Sequence, residues 1–545
     1  MRFTCIAAAA LLAALLSPAT ADPNGPTPTG QHAALVERQI NDACFAAMDA
    51  IYRGVPSRAD EIADRLISEH PEDPRSWLIK ARALRLDVPD QNVDRDTIRR
   101  KSKPILEILD RGEDAASALI DANEQSVAGH LYRGWIRMFK AQLHALSNEY
   151  WSAGRRSKAG KEDLDFVLSQ DPGAADALML EGTYLYFADI LPGLVKVAQF
   201  IVRVPGGSLD GGLRYLEGAA LRQGYGRIDA RALIGVILFA FEGRLEDAIE
   251  WLDVVLTEYP QNVRILEPLA AIDLFFPSRV ARDLAHLQEV VARYNTGSET
   301  WERSATARLQ LYVTIKQLLA GRLPEARANL AALYANLPGE PDWLRLDVYR
   351  LLVAVQLMQG DQAAAIQIVE SLDKRDLLRR KLSYATRDDA TPSADERRAF
   401  EQMQPALRDL YAGDPAAAEH ILRGAAPDAP FVHFYRGELE LLRGHPELAL
   451  PHFRELTRFE VESCWWAYAS LAHVREAEIH AAMGDDDAAQ GALRRMVDAH
   501  PVKDLIRHLA RARKRYYENG RPGSGGPEHA AKVPGAPPTG QAPSR

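Results

Sequence analysis

The sequence predicts an all-α chain, a solenoid of helix–turn–helix repeats with one inserted apolar helix, and three observations carry that prediction. A small set of residues recurs at fixed spacing: glycine, then a small residue five positions on, then apolar residues four and seven beyond it, and often a closing proline. Every strong hydrophobic pattern has helical period, and no alternating run points to a strand. The one long departure, residues 189–207, is apolar around most of its circumference if helical.

The clearest copy is residues 243–260, GRLEDAIEWLDVVLTEYP. Gly243 supplies a turn, Ala248 lets two helices approach closely, Leu252 and Val255 share one helical face, and Pro260 cannot continue the helix. A first unit from about Ile40 repeats this with Gly54, Ala59, Ala63, Leu66 and Pro71, and Trp77 stands where the next helix should bury a large residue. Past Asp87 the pattern lapses, so residues 87–102 read as a charged connection. A helix from Lys103-Pro104 should end near Gly112, and a long one is expected over 125–151. Gly160, Leu164, Val167 and Pro172 restore the second-helix spacing. Residues 214–221 read as a short helix, 230–242 with 243–259 as the best-formed pair, and 263–276 with 280–294 as a weaker one. Further copies are marked by Gly321/Ala326, Gly360/Ala365, Gly413/Ala418, Gly444/Ala449 and Gly484/Ala489, and a last helix carries Arg507, Arg511, Arg513, Lys514 and Arg515. That basic set reads as a solvated face near a helix C-terminus.

This pattern resembles the tetratricopeptide repeat family, whose 34-residue unit is a pair of helices. The run Gly182-Thr-Tyr-Leu-Tyr-Phe with Leu191-Pro192, Gly206-Gly207 and Gly211-Gly212-Leu213 is similar to exported bacterial members, and more faintly to a eukaryotic repeat family of lipid-rich compartments. The resemblance implies that the first helices line a concave face. Peptide-binding members place lysine and asparagine there to clamp a carboxylate. At the matching positions this chain has Cys44 and Met48, Leu233 and Ile237, Leu311 and Ile315, Phe434 and Glu438, so the clamp is absent and an apolar wall remains. The wall is filled either by the chain's own segments or by something apolar.

The domain reading follows in order. Residues 1–21 have the basic, apolar and small-residue parts of a secretory signal peptide, and their apolar run is too short to span a bilayer. Residues 22–39 form a flexible leader, 40–378 a first solenoid with an insertion near 189–212, 379–398 a charged connection, 399–518 a second solenoid and 519–545 a disordered tail. The protein is expected to be exported and periplasmic, peripheral to a membrane at most. Cys44 and Cys464, left after cleavage, read as buried thiols rather than a bridge.

A net charge of −9 excludes broad nucleic-acid binding. No cofactor or metal motif stands out. His473, Glu476 and His480 share a helix face, with His445 and His452 nearby in sequence, but lack the converging spacing of a zinc site. Residues 206–212, GGSLDGG, lack the strand–loop–helix setting of a phosphate loop and read as a flexible connection. No catalytic constellation is found. The expected function is a non-catalytic envelope scaffold for a protein or peptide partner. The second reading is a carrier or sensor of an apolar ligand or membrane surface through 189–207, and an unrecognised enzyme comes third. For the second reading the candidate apolar face is Tyr186, Phe187, Val197, Ile201, Leu233, Ile237 and Phe241, with Lys196 and Arg203 as anionic contacts.

Overall fold

The computed structural model describes residues 28–86, 95–190, 207–295, 303–335, 342–373, 379–380, 382–424, 429–457, 463–499 and 505–519. Among the described residues there are twenty-three α-helices and no strand. Helices adjacent in sequence pack on one another, an arrangement compatible with a helical repeat solenoid. The signal peptide over 1–21 and residues 520–545 of the expected tail lie outside the described residues.

The N-terminal group is α1 (Pro28–Tyr52), α2 (Pro56–Glu69), α3 (Pro74–Arg85), α4 (Arg95–Ala122), α5 (Val127–Leu146), α6 (Tyr150–Gln170), α7 (Ala175–Ile190) and α8 (Leu209–Ala220). Several expectations need correction here. The chain is already helical from Pro28, inside the stretch expected as a leader. The connection expected over 87–102 is half consumed by α4, which runs through Pro104 and Gly112 without a break. Proline costs one backbone bond, but Ile98, Ile105, Leu109 and Ala116 keep a continuous buried stripe along α4, and that burial decides the matter. Gly160 holds the small-residue position of the pattern, four and seven before the buried Leu164 and Val167: it lies in mid-α6, where a Cβ would press on the Gly134 carbonyl at 3.1 Å, so its smallness lets α5 and α6 close up. The turn before α6 is at Asn148, φ 57°, a residue type that tolerates the left-handed region.

The middle group is α9 (Arg227–Ile237), continued by a π-helical turn at Leu238–Glu242, then α10 (Leu245–Glu258), α11 (Val263–Asp273), α12 (Leu284–Asn295), α13 (Arg303–Leu319), α14 (Leu323–Ala335), α15 (Asp342–Met358) and α16 (Gln362–Glu370). The last group is α17 (Ala394–Tyr411), α18 (Pro415–Gly424), α19 (Pro430–Leu442), α20 (Pro446–Leu456), α21 (Trp466–Ala482), α22 (Asp486–Ala499) and α23 (Leu505–Glu518). Of the stretch expected as a charged connection over 379–398, residues 394–398 belong to α17, and the described part before them is packed down. Tyr384 and Ala385 are buried, and Gln362 Nε2 donates to the carbonyls of Ala385 (3.2 Å) and Arg387 (2.8 Å).

Seven glycines named by the template, Gly54, Gly243, Gly321, Gly360, Gly413, Gly444 and Gly484, all have φ between 67° and 94°. Each ends one helix so that the next can turn back, a conformation that costs a side-chain-bearing residue about 1–2 kcal/mol. The template alanines Ala59, Ala248, Ala326, Ala365, Ala418, Ala449 and Ala489 are all essentially fully buried, at the points where paired helices approach.

Two long-range closures shape the molecule. At the N-terminal end, Tyr52 Oη donates to the Tyr225 carbonyl (3.3 Å), Asn262 Nδ2 donates to the Tyr52 carbonyl (3.1 Å), and Arg82 pairs with Asp229 (2.6 Å). At the C-terminal end, side chains from α17, α19, α21 and α23 cap backbone carbonyls at the C-terminal ends of middle helices. Arg408 reaches Gly321 (3.1 Å), Tyr435 reaches Leu319 (2.9 Å), Arg475 reaches Leu274 (2.8 Å), His508 reaches Ala240 (2.9 Å) and Arg513 reaches Gly243 (3.1 Å). Carbonyls in the last turn of a helix have no partner within the helix, so these side chains satisfy groups left over by its geometry. The expectation of a solvated basic face on the last helix fails at Arg513. It is 3% exposed and pairs with Glu246 (2.5 Å) and Glu478 (2.9 Å).

Candidate functional site

The expected apolar face is assembled in part. Tyr186 and Phe187 of α7 meet Phe241 of the π turn, with ring centroids 5.6–6.1 Å apart and near edge-on. The approach depends on glycines: a Cβ on Gly182 would lie 2.7 Å from the Gly212 carbonyl, and one on Gly212 would lie 2.7 Å from the Tyr186 amide, so α7 and α8 touch backbone to backbone. This also corrects the reading of the glycine-rich run as a flexible connection. Ser208 caps α8 by accepting from the Gly211 amide (3.1 Å), and Gly211 and Gly212 belong to the helix. The face is not open. Tyr186 and Ile237 are fully buried, and Tyr186 Oη donates to Glu242. Phe187, Leu233 and Phe241 are half-buried. From α23, His508 and Arg515 donate to the carbonyls of Ala240 and Phe241. Val197, Ile201, Lys196 and Arg203 lie outside the described residues.

The inner wall is covered elsewhere too. Cys44, Met48, Leu311, Ile315, Phe434 and Glu438 are all buried within the chain. Beside Cys44, between Arg75, Arg82, Trp135 and Tyr225, the remaining void is about 10 Å³, no more than one water could occupy. Cys44 and Cys464 are buried and free, and burial pushes each thiol up to about 12.

The histidine face has its carboxylate engaged by arginine. Glu476 binds Arg454 (3.3 Å) through one oxygen and Arg495 (2.8 Å) through the other, and Arg454 also contacts His480 Nε2 at 3.1 Å. Burial holds His473 down at about 4, with Glu476 opposing. Asp163, 3% exposed, is likewise enclosed by His130 (2.8 Å), Arg133 (2.6 Å) and Arg137 (2.8 Å). Among the described residues no group of three metal-ligating side chains converges.

A sizeable recess among the described residues occurs where the repeat pattern is weakest. Between α11 and α12 there is no turn glycine. The chain instead takes a 3-10 turn at Pro277–Arg279 and bends through Asp283 at φ 55°. As a result α11 and α12 hardly touch, and both lean on α13 instead. A cleft of about 300 Å³ opens between α10, α11 and α12. Its floor is Leu266, Leu269, Ala270 and Leu287, all nearly buried, with Leu256 beside them. At its inner end Asp273 accepts from Lys316 Nζ (2.7 Å) and Arg279 Nε (2.5 Å), and Lys316, completely buried, also donates to the Arg282 carbonyl (3.1 Å). Burial lowers the Lys316 pKa against the pull of Asp273. At the mouth, Arg282 lies between Asp253 and Asp283, 3.2 Å from each, while His286 Nε2 donates to the Pro260 carbonyl (2.7 Å). That carbonyl can only accept, so the ring proton sits on Nε2.

Sequence reasoning missed this cleft. The available signal was the stretch 274–283, LFFPSRVARD, which joins two helices without the glycine that marks the well-formed turns. No family model matches the chain, and no curated protein matches it either.

Proposed function

We propose that the chain is a non-catalytic protein-interaction scaffold of the cell envelope, built from tetratricopeptide-like repeats. The observation that carries this reading is the filled interior. Of the eight residues that would line a ligand groove in an open solenoid, all but the half-buried Leu233 are buried within the chain. What is left for a partner is the outer surface, including the cleft beside α10–α12 and the repeat turns of α17–α22.

For the carrier reading, Tyr186 and Ile237 of the described apolar face are sealed and α23 bonds to the adjoining backbone, which leaves only the half-buried Phe187, Leu233 and Phe241 to meet a ligand. Catalysis draws no support from three of the buried carboxylates, Asp163, Asp273 and Glu476, which are each held by two or more cationic or imidazole groups. A general base needs a lone pair free to take a proton, and a carboxylate in this state is a structural anion. Export rests on residues 1–21, and no helix among the described residues is long and apolar enough to cross a membrane.

The test is purification of the full chain from the envelope fraction after cross-linking in cells, with proteins and lipids measured separately by mass spectrometry. A protein recovered in a fixed ratio to the chain is the expected result. Recovery of a stoichiometric lipid with no protein would overturn the scaffold reading in favour of the carrier.

A further inference from the structure

We infer that the cleft between α10, α11 and α12 is a docking site for a peptide segment carrying a large apolar side chain next to a lysine or arginine. The inference rests on the scaffold reading and names the chemistry of the segment held. Three features of the cleft point to that occupant.

The first is size. About 300 Å³ is the lower end of the range of small-ligand sites, enough for one large side chain and part of a neighbour, and too little for a helix laid along a groove. The second is the floor. Leu266, Leu269 and Leu287 present aliphatic surface at the bottom of a recess rather than across an open face, so an inserted apolar side chain gains burial on several sides at once.

The third is charge. Asp273, at the inner end, is already satisfied by Lys316 and Arg279, so it offers nothing to a ligand. The mouth is different. Asp253 and Asp283 share one guanidinium at 3.2 Å, and all three side chains are at least a third exposed, so the solvent-facing rim carries one carboxylate charge more than its arginine supplies, while the cation that balances the cleft as a whole lies buried with Asp273 at the inner end. A cation beside the anchor completes that set, and an acidic neighbour meets like charge. Rim charges of this kind decide which partner is accepted more than how tightly it is held. Opening the site needs no rearrangement of the core, because its width follows from the missing turn glycine and the Asp283 bend.

The experiment uses the full chain and two fluorescently labelled hexapeptides, Ser-Lys-Leu-Trp-Lys-Ser and its counterpart with glutamate in place of each lysine, in about 0.1 M salt where exposed charges still interact over ~10 Å. Saturable binding of the lysine peptide, at least tenfold tighter than the glutamate peptide, is expected. Asp253→Lys abolishes that preference, and Thr257→Trp, at an exposed position on the lip, blocks the cleft and removes binding of both. Both variants should keep the wild-type melting temperature. Equal affinity for the two peptides, no saturable binding of the lysine peptide, or full binding by Thr257→Trp overturns the proposal. The two readings fail separately. If Thr257→Trp still captures the envelope partner the cleft is not its docking site and the scaffold stands, whereas peptide binding without any captured protein keeps the cleft and removes the scaffold.

Discussion

Gly243, Gly321 and Gly360 end their helices in the same left-handed conformation as Gly413, Gly444 and Gly484, yet the two sets live in different surroundings. A Cβ added to Gly243 would collide with the Ala512 carbonyl, one on Gly321 would sit 2.5 Å from the Gln404 carbonyl, and one on Gly360 would sit 2.7 Å from Arg397. Around Gly413, Gly444 and Gly484 an added Cβ would meet nothing within 4 Å. The first three turns are covered by α17 and α23, and the last three are bare. One local motif therefore serves two purposes: everywhere it reverses the chain, and in the middle of the molecule it is also a seat for a helix from the far end of the sequence.

The largest effect that would break this contrast comes from the side chain at the centre of the cover. Arg475→Ala leaves Glu438, which is completely buried, without its 2.5 Å partner and strips the Leu274 carbonyl of its cap. Breaking a buried pair from one side costs about 3–5 kcal/mol, and chemical denaturation should show a loss of that order. Next comes Gly243→Ala, where the conformational cost of about 1–2 kcal/mol is joined by displacement of α23, for a total of about 3 kcal/mol or more. An unchanged denaturation midpoint would mean that α23 does not sit on this turn.

A bare turn does not mean a loose core, and Ala489→Trp, five residues beyond Gly484, tests that. Ala489 is fully buried, so the ring overpacks the α21–α22 contact at about 1–3 kcal/mol despite the open rim next to it. The same region supplies a pH response. His473 is held at about 4 when folded and has an ordinary value near 6.5 when unfolded, so the unfolded state binds the extra proton between those values. Its contribution is intact above pH 6.5, is lost progressively as the pH falls, and is gone by pH 4. At pH 5.5 the loss is about 1.4 kcal/mol. The stability difference between wild type and His473→Gln should shrink by that amount between pH 7.5 and 5.5, and a constant difference would show that His473 does not titrate in this window. The smallest effect sharpens the opening contrast directly. Gly444→Ala pays only for its φ of 78°, about 1 kcal/mol, and a cost equal to that of Gly243→Ala would erase the distinction between covered and bare turns.

What was legible in the sequence divides along the same line. Glycine at a turn, alanine at a helix crossing and proline at a helix end act on their immediate neighbours, so the seven turns and their alanines could be located from spacing alone. Arg513 could not be read, because a cation among cations on an amphipathic helix looks solvated until Glu246, 267 residues upstream, is brought beside it. Gly160 was legible for the same reason as the alanines, because its spacing to Leu164 and Val167 is that of the small residue at a crossing, and α5 closes on it in mid-helix. Of the candidate site, the grouping of Tyr186, Phe187 and Phe241 and its filling by the chain itself were foreseeable from helical position and apolar character, while the bonds from α23 to the Ala240 and Phe241 carbonyls were not. The cleft was missed because its signal is an absence, the turn glycine lacking from 274–283.

The carbonyl caps also impose an order on the life of the chain. Synthesis delivers the N-terminus first, so the carbonyls ending α9, α11 and α13 wait between 87 and 270 residues for the arginines, tyrosine and histidine that cap them. Until then their last turns must be served by water, and Gly243 and Gly321 stand open. The middle of this molecule is therefore completed by its end, and a chain stopped short of α23 would cap Leu274, Leu319 and Gly321 yet leave the Ala240 and Gly243 carbonyls bare.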